Sequence, residues 1–300
     1  MCRHSNSFSG PLRWRSSVVV NFSKRGSFVK AMLSVIVAIV LGCRVAAADT
    51  ALVNYPDFSS TSGLSLQGAT SKVGNVLRVS GTSAANGNAG SAWNTTQQPV
   101  ASGFSTTFRF QITQLSGIND DDGNNGGDGL AFVIQNSSGT ALGATGGGMG
   151  YGGITNSVAV EFDTFRNALM GDPNGNHISI HTGGTAANSN LEDHSLGIAA
   201  SLPNMSDGNI HTAGILYLPG TMTVSLDGSD VLTLPLNLST KLNLNAGDAW
   251  VGFTAAFSGA SENHDILNWS VNAVPEPSGL VLVAAGVLSL ISCKYRRRSG

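Results

Sequence analysis

Cysteine is nearly absent. The three in 300 residues are Cys2, Cys43 and Cys293, so residues 49–277 can hold neither a disulfide nor a thiolate metal site. Any cation bound there must take oxygen and imidazole ligands. Charge is also scarce, at 11% of residues, and positive charge is scarcer still. Residues 49–277 carry only Lys72, Arg78, Arg109, Arg166 and Lys241 against all 18 acidic residues, a formal charge of −13. That balance argues against nucleic acid or an anionic membrane surface as a partner and favours cations. Long helical periodicity is missing between 50 and 273, and so is a fixed-period repeat, which disfavours bundles, solenoids and propellers. The glycine runs in GGDGLAFVIQNSSGTALGATGGGMGYGG (126–153) have no βαβ unit around them, so they do not mark a nucleotide site. NDDDGNN (119–125) begins like a calcium loop but lacks the closing bidentate acid, and reads as a solvated acidic loop.

Short alternating runs fill the chain instead. Among them are FSTTFRFQI (104–112), GLAFVIQN (129–136), SVAVEFDTF (157–165), HISIHT (177–182), HTAGILYL (211–218), TMTVSLDG (221–228), AWVGFTAAF (249–257) and HDILNWSVN (264–272). Gly, Asn, Asp and Ser punctuate them. Many short strands at regular spacing predict an all-β domain, a sandwich of antiparallel sheets spanning 49–273.

Both ends read as addresses. A basic, Ser-rich start leads into AMLSVIVAIVLGC (31–43) and then Ala46-Ala47-Ala48, which predicts a secretory signal over 1–48 with cleavage near Asp49. Met32 opens a more ordinary signal than Met1, and Cys43 raises a secondary lipoprotein reading. Residues 274–300, VPEPSGLVLVAAGVLSLISCKYRRRSG, place Pro275-Glu276-Pro277 before a short apolar helix and a terminal basic cluster. This order resembles the PEP-CTERM sorting tail of Gram-negative envelope proteins. It implies an exosortase-type processing enzyme as partner and a membrane contact only through the tail helix. Both ends predict an exported, cell-envelope or secreted protein.

The richest stretch is VAVEFDTFRNALMGDPNGNH (158–177). On a strand, residues two apart share a face, so Glu161 and Asp163 point together. Two ionised carboxylates side by side repel, and a cation resolves the repulsion. The Gly/Pro/Asn loop that follows can bring Asn167, Asp172 and His177 back to them. Glu161, Asp163, Asp172 and His177 form a mixed carboxylate–imidazole set suited to manganese or another transition ion. Asp163, Asp172, the Asn167 amide oxygen and the Phe165 carbonyl form an all-oxygen set suited to calcium. The bland alternative is a solvated acidic strand end with a surface histidine.

This stretch resembles the metal-binding loop of the legume-type (L-type) lectins: Glu161-Phe162-Asp163-Thr164-Phe165-Arg166-Asn167, then Asp172-Pro173, then His177-Ile178-Ser179-Ile180. The resemblance runs from about Asp57 to Asn272 and implies a concanavalin A-like β-sandwich (jelly roll) and a non-catalytic, calcium- and manganese-dependent glycan site. It also implies that Asp128, in Asp-Gly-Leu-Ala-Phe, accepts sugar hydroxyls beyond a cis peptide, with a main-chain amide from Gly147 or Gly148. Asn167 would donate to a sugar hydroxyl while holding calcium, and Phe165 would stack on the ring. A loop over Ser258–Asn263 would lie above the sugar, with Glu262 and Asn263 as contacts. Gly127 stands where the family more often has Ala, and His181 where it often has Asp. Trp269 and His264 read as scaffold, and His181, His194 and His211 as ordinary surface or core residues.

Two other functions compete. β-Glucanases of the laminarinase type share this fold and carry Glu-x-Asp-x-x-Glu, since retaining hydrolysis needs two carboxylates about 5–5.5 Å apart. Here Arg166 occupies the second Glu position, and no Ser-His-Asp signature replaces it. The remaining alternative is a structural envelope or matrix protein with a decayed site.

Overall fold

The computed structural model describes residues 50–82 and 88–274. The predicted leader and the apolar tail helix lie outside them. In chain order the strands are β1 (Thr50–Tyr55), β2 (Leu64–Gly68), β3 (Ser71–Val73), β4 (Val76–Ser80), β5 (Ala89–Asn94), β6 (Gln98–Pro99), β7 (Phe104–Gly117) and β8 (Gly129–Gln135). There follow β9 (Ser157–Asp163), β10 (His177–Thr182), β11 (Ser195–Ala199), β12 (Ile210–Leu218), β13 (Thr221–Leu226), β14 (Ser229–Leu234), β15 (Asp248–Ala256) and β16 (Ala260–Ala273). The one α-helical segment among the described residues is the single turn α1 (Leu238–Lys241).

The strands form two sheets. One runs β14-β13-β12-β7-β16-β4-β3 with β1 also on β16, and the other runs β11-β10-β9-β8-β15-β5-β2 with β6 also on β15. Every pairing is antiparallel, as the alternating sequence predicts. Strand β7 shows why: Phe104, Thr106, Phe108, Phe110 and Ile112 are buried on one face while Ser105, Thr107, Arg109 and Gln111 face outward. Between the sheets the aromatic rings interlock. Phe108 of β7 meets Phe253 of β15 edge-on at 4.9 Å and Phe162 of β9 at 5.6 Å, and Phe253 meets Trp269 of β16 at 5.0 Å. Trp269 is therefore core, as the sequence suggests.

Strands β8 and β9 do not alternate, because every residue in them is buried. Their inner faces, including Phe132, Val160 and Phe162, join the main core. Their outer faces are covered by the segment that carries Met149, Tyr151 and Ile154, which packs on Trp93, Ala131, Val133 and Ala159 as a second, smaller cluster. Glu161 and Asp163 continue that covered outer row. The acidic pair thus lies under protein rather than at a solvated edge.

Removing a large ring from an interior at crystal-like density leaves a cavity that the surroundings only partly fill. Phe253→Ala should lower unfolding free energy by about 3–5 kcal/mol, read as a shifted midpoint in denaturant titration.

Candidate functional site

Register builds the site. In the β9–β10 pair Asp163 lies opposite His177, Glu161 opposite Ser179 and Ala159 opposite His181. Alternation sends Ile178 and Ile180 to the core and His177, Ser179 and His181 to the covered outer face with Glu161 and Asp163. Glu161, Asp163, Asp172 and His177 are all buried. Donor atoms of Asp163, Asp172 and His177 lie within 4.8 Å of one another, and so do those of Glu161, His177 and Glu192. His177 belongs to both groups.

The predicted loop ligands come together as the sequence implies. The Asp163 Oδ1 accepts the Phe165 amide at 2.8 Å, and Asp172 Oδ2 accepts the Asn167 amide at 2.5 Å. The Asn167 side-chain nitrogen donates to Asp128 Oδ1 at 3.3 Å and to the Phe165 carbonyl at 3.2 Å. One detail differs from expectation. The amide nitrogen, not the oxygen, faces the Phe165 carbonyl; turning the amide over would place two oxygens there, as a calcium site requires, and would release the hydrogen bond to Asp128.

Several partners were not anticipated. Tyr151 donates its hydroxyl to Glu161 Oε2 at 2.5 Å, and Ser179 donates to Glu161 Oε1 at 2.7 Å. Glu192 stands with Oε1 2.9 Å from His177 Nε2 and 3.5 Å from His181 Nε2. His181 is fully buried and is not an ordinary surface or core residue; its Nε2 lies 3.4 Å from Glu161 Oε1. The signal for His181 was available in the alternation of HISIHT. Glu192 had no comparable signal, because it sits in a short 3-10 turn, Glu192–His194, outside any strand pattern.

Electrostatics follow from burial. Burial pushes Asp163 well above the usual carboxylate range; His177 opposes this, while Glu161 and Asp172 add to it. Burial also pushes Asp172 up to about 6 despite the Asn167 amide. Burial disfavours charge on His177, yet the Glu161 carboxylate 3.7 Å away, the hydrogen bond to Glu192 and the charge of Asp163 raise it to about 11. His181 is likewise raised to about 9, against burial, chiefly by Glu161. Glu161 and Glu192 are held below their ordinary values by the two imidazoles, which outweigh burial. The cluster is an excess of buried negative charge that needs a positive partner. Hard oxygens with one shared imidazole fit a divalent cation.

Asp128 sits beside this cluster. The Gly127–Asp128 peptide is cis. Asp128 is 2% exposed, burial raises it to about 6 against the Asn167 hydrogen bond, and its Oδ2 is buried without a hydrogen-bond partner. Gly127 leaves room for Phe165: at φ +150°, an added Cβ would come within 2.7 Å of the Phe165 Cβ. The glycine loop approaches from the other side, where a Cβ on Gly147 would meet Met170 Sδ at 2.7 Å and Asn167 Cγ at 3.1 Å. The two candidate amides differ. Gly148 N–H is spent on the Thr145 carbonyl at 3.1 Å, whereas Gly147 N–H is in none of the backbone bonds of this turn. Of the two, only the Gly147 N–H is uncommitted to this turn.

Glu262 and Asn263 are corrections. The loop expected over Ser258–Asn263 ends by Gly259, since β16 begins at Ala260. Both residues are buried within the strand. Glu262 accepts from Thr164 Oγ1 and, at 2.9 Å, from Ser206 Oγ, and lies 3.1 Å from His264 Nε2. The Asn263 side-chain oxygen accepts the Thr82 amide at 3.2 Å. They brace the floor behind the site instead of facing outward. Ser80, His264 and Glu262 have the connectivity of a nucleophilic triad, with Ser80 Oγ 2.9 Å from His264 Nδ1, but all three are fully buried.

The acidic loop also has a structural task. Asp120 Oδ2 accepts the Arg166 amide at 2.9 Å while Oδ1 accepts the Asn124 amide at 2.7 Å. Asp122 accepts the Arg166 guanidinium at 3.0 Å and the Gly175 amide at 2.9 Å. The loop thus staples both ends of the segment that carries Asn167 and Asp172.

Comparison with known proteins agrees with this fold. Residues 54–270 match the family described as the legume lectin beta-barrel domain. A lectin of Leucomphalos mildbraedii is 30% identical over 182 residues, covering 57% of this chain and 69% of that protein. A probable L-type lectin-domain containing receptor kinase of Arabidopsis thaliana is 33% identical over 184 residues, 56% of this chain. This chain spans only 25% of that kinase. Among solved structures, a Bauhinia forficata lectin in complex with GalNAc superposes with TM-score 0.59 at 25% identity, covering 76% of this chain and 99% of that one.

If the acidic loop holds the ligand loop, Asp120→Ala should free its far end. A lost charged hydrogen bond of about 1.5–3 kcal/mol corresponds to roughly 10- to 100-fold faster hydrogen exchange at the Arg166 amide. The β9 amides should exchange as before.

Proposed function

Because the chain belongs to the legume lectin β-barrel family, we propose that it is a carbohydrate-binding protein whose glycan site is ordered by two divalent cations. The observation that carries this reading is Asp128: a buried carboxylate with one oxygen held by Asn167 and the other without a partner. A sugar presenting adjacent hydroxyls donates to such a carboxylate. The Gly147 amide and the Asn167 amide group offer donors to the sugar's oxygens. Phe165, seated against Gly127, offers a ring for the apolar face of a pyranose.

The cations hold these partners in place. Glu161, Asp163, Asp172 and His177 would hold manganese or another transition ion. Asp163, Asp172, Asn167 and the Phe165 carbonyl would hold calcium. The ions supply the countercharge for the buried carboxylates and fix the loop from 163 to 177. Through Phe165, seated against Gly127, that order passes to Asp128.

Binding without cleavage is the reading that the named lectin relatives favour. Arg166, at the position where a hydrolase of this fold would need its second acid, is turned to Asp122. We place the protein outside the cytoplasm, exported by its leader and sorted by its PEP-CTERM-like tail with an exosortase-type enzyme as processing partner. Among the described residues no helix is long and apolar enough to cross a membrane.

On a glycan array, binding by the full chain should appear with calcium and manganese and vanish with EDTA. Survival of binding after complete chelation, or in Asp163→Ala, would defeat the cation mechanism. Asp128→Asn should remove sugar binding while metal content, measured by atomic emission, stays at the wild-type level. Release of reducing ends from a laminarin-type glucan would instead point to hydrolysis.

A further inference from the structure

Glu192 lies outside the ligand loop, 15 residues beyond His177, yet its carboxylate enters the same buried cluster. Its side chain is 4% exposed. One oxygen lies 2.9 Å from His177 Nε2 and 3.5 Å from His181 Nε2, and the other is buried without a partner. Glu161 Oε1 stands 3.7 Å from His177 Nε2 and 3.4 Å from His181 Nε2. Ligands bonded at roughly 2.0–2.2 Å to one first-row ion lie about 3.0–3.5 Å from their neighbours. The contacts of Glu161 and Glu192 with His177, at 3.7 and 2.9 Å, lie near that range, and donor atoms of all three fall within 4.8 Å of one another. A carboxylate needed only as an ion-pair partner for the imidazoles would leave its second oxygen buried and unsatisfied, at a cost of about 1–3 kcal/mol or more. A divalent cation bound by that carboxylate would offset the cost.

We infer that Glu192 is a fifth protein ligand of the transition-ion position, reaching it from the 3-10 turn behind β10. This rests on the proposed two-cation site and adds to it. His181 is then a positioning residue that holds the Glu161 and Glu192 carboxylates, the service that partners behind metal ligands commonly perform. Manganese favours six ligands. Four ligands from the loop leave two positions for solvent, whereas five leave one. The ion is thereby sealed on the side facing Leu191–His194, and the turn that carries Glu192 is tied to metal loading.

The test uses the full chain and manganese alone. Free Mn2+ is titrated by electron paramagnetic resonance, and bound water is counted by electron–nuclear double resonance in H2 17O. The wild type should take up one tight Mn2+ with at most one inner-sphere water. Glu192→Gln should weaken Mn2+ binding by about tenfold or more, add one inner-sphere water, and leave Ca2+ uptake and the circular dichroism spectrum unchanged. Two inner-sphere waters in the wild type, or wild-type Mn2+ affinity and hydration in Glu192→Gln, would overturn the assignment of Glu192 alone, provided that Glu161→Gln still abolishes Mn2+ binding. Absence of Mn2+ binding in the wild type would overturn the two-cation reading itself. Should Glu192→Gln not fold, the water count in the wild type decides.

Discussion

A carboxylate can be buried only if something positive or hydrogen-donating is buried with it. Much of this molecule follows from that constraint, because Glu161, Asp163, Asp172 and Glu192 are buried together around His177. The covering segment supplies Tyr151 for one oxygen of Glu161, β10 supplies Ser179 for the other, and the loop turns its own amides toward Asp163 and Asp172. The hydrogen bonds that remain are too few for so much negative charge. His177 and His181 offset part of it, and a cation would complete the neutralisation.

The sandwich makes this possible by burying β8 and β9 on both faces. With only an inner core, Glu161 would lie on a wet outer surface and its charge would cost little. The second layer, with Met149, Tyr151 and Ile154 on Ala131, Val133 and Ala159, removes the water. The same covering segment contains the glycine turn that sets Gly147 against Met170 and Asn167. One stretch of chain therefore dries the acidic cluster and packs against Asn167 beside Asp128, which couples the two at the level of packing.

Much of this was legible in the sequence. Period-two alternation located the strands and placed Glu161 beside Asp163, and His177 opened β10 as expected. What failed did so for physical reasons. Ser-Gly-Ala-Ser-Glu-Asn looks like a loop because it is polar and small, yet only Ser258 and Gly259 turn the chain. β16 shifts register between Ser261 and Asn263 and continues with polar residues because Thr164, Ser206 and Thr82, distant in sequence, receive them. No local pattern reports a partner 98 residues away. Glu192 was invisible for the same reason: its meaning lies in where a short turn docks. His181 was different, since alternation alone put it on the face of Glu161.

Arg166 shows how one position separates related chemistries on one fold. Hydrolysis needs a second carboxylate across the scissile bond from the first, free to exchange a proton. Here the residue three after Asp163 is a cation whose guanidinium and amide are both engaged, with Asp122 and Asp120. Those contacts hold the loop still. A nucleophilic carboxylate must change partners during a reaction, whereas a carboxylate that only binds gains from neighbours fixed beforehand, because order established before a ligand arrives is not lost on binding. The acidic loop at 119–125, which reads as mere solvated charge, thus holds Arg166 and Gly175 on either side of Asn167 and Asp172.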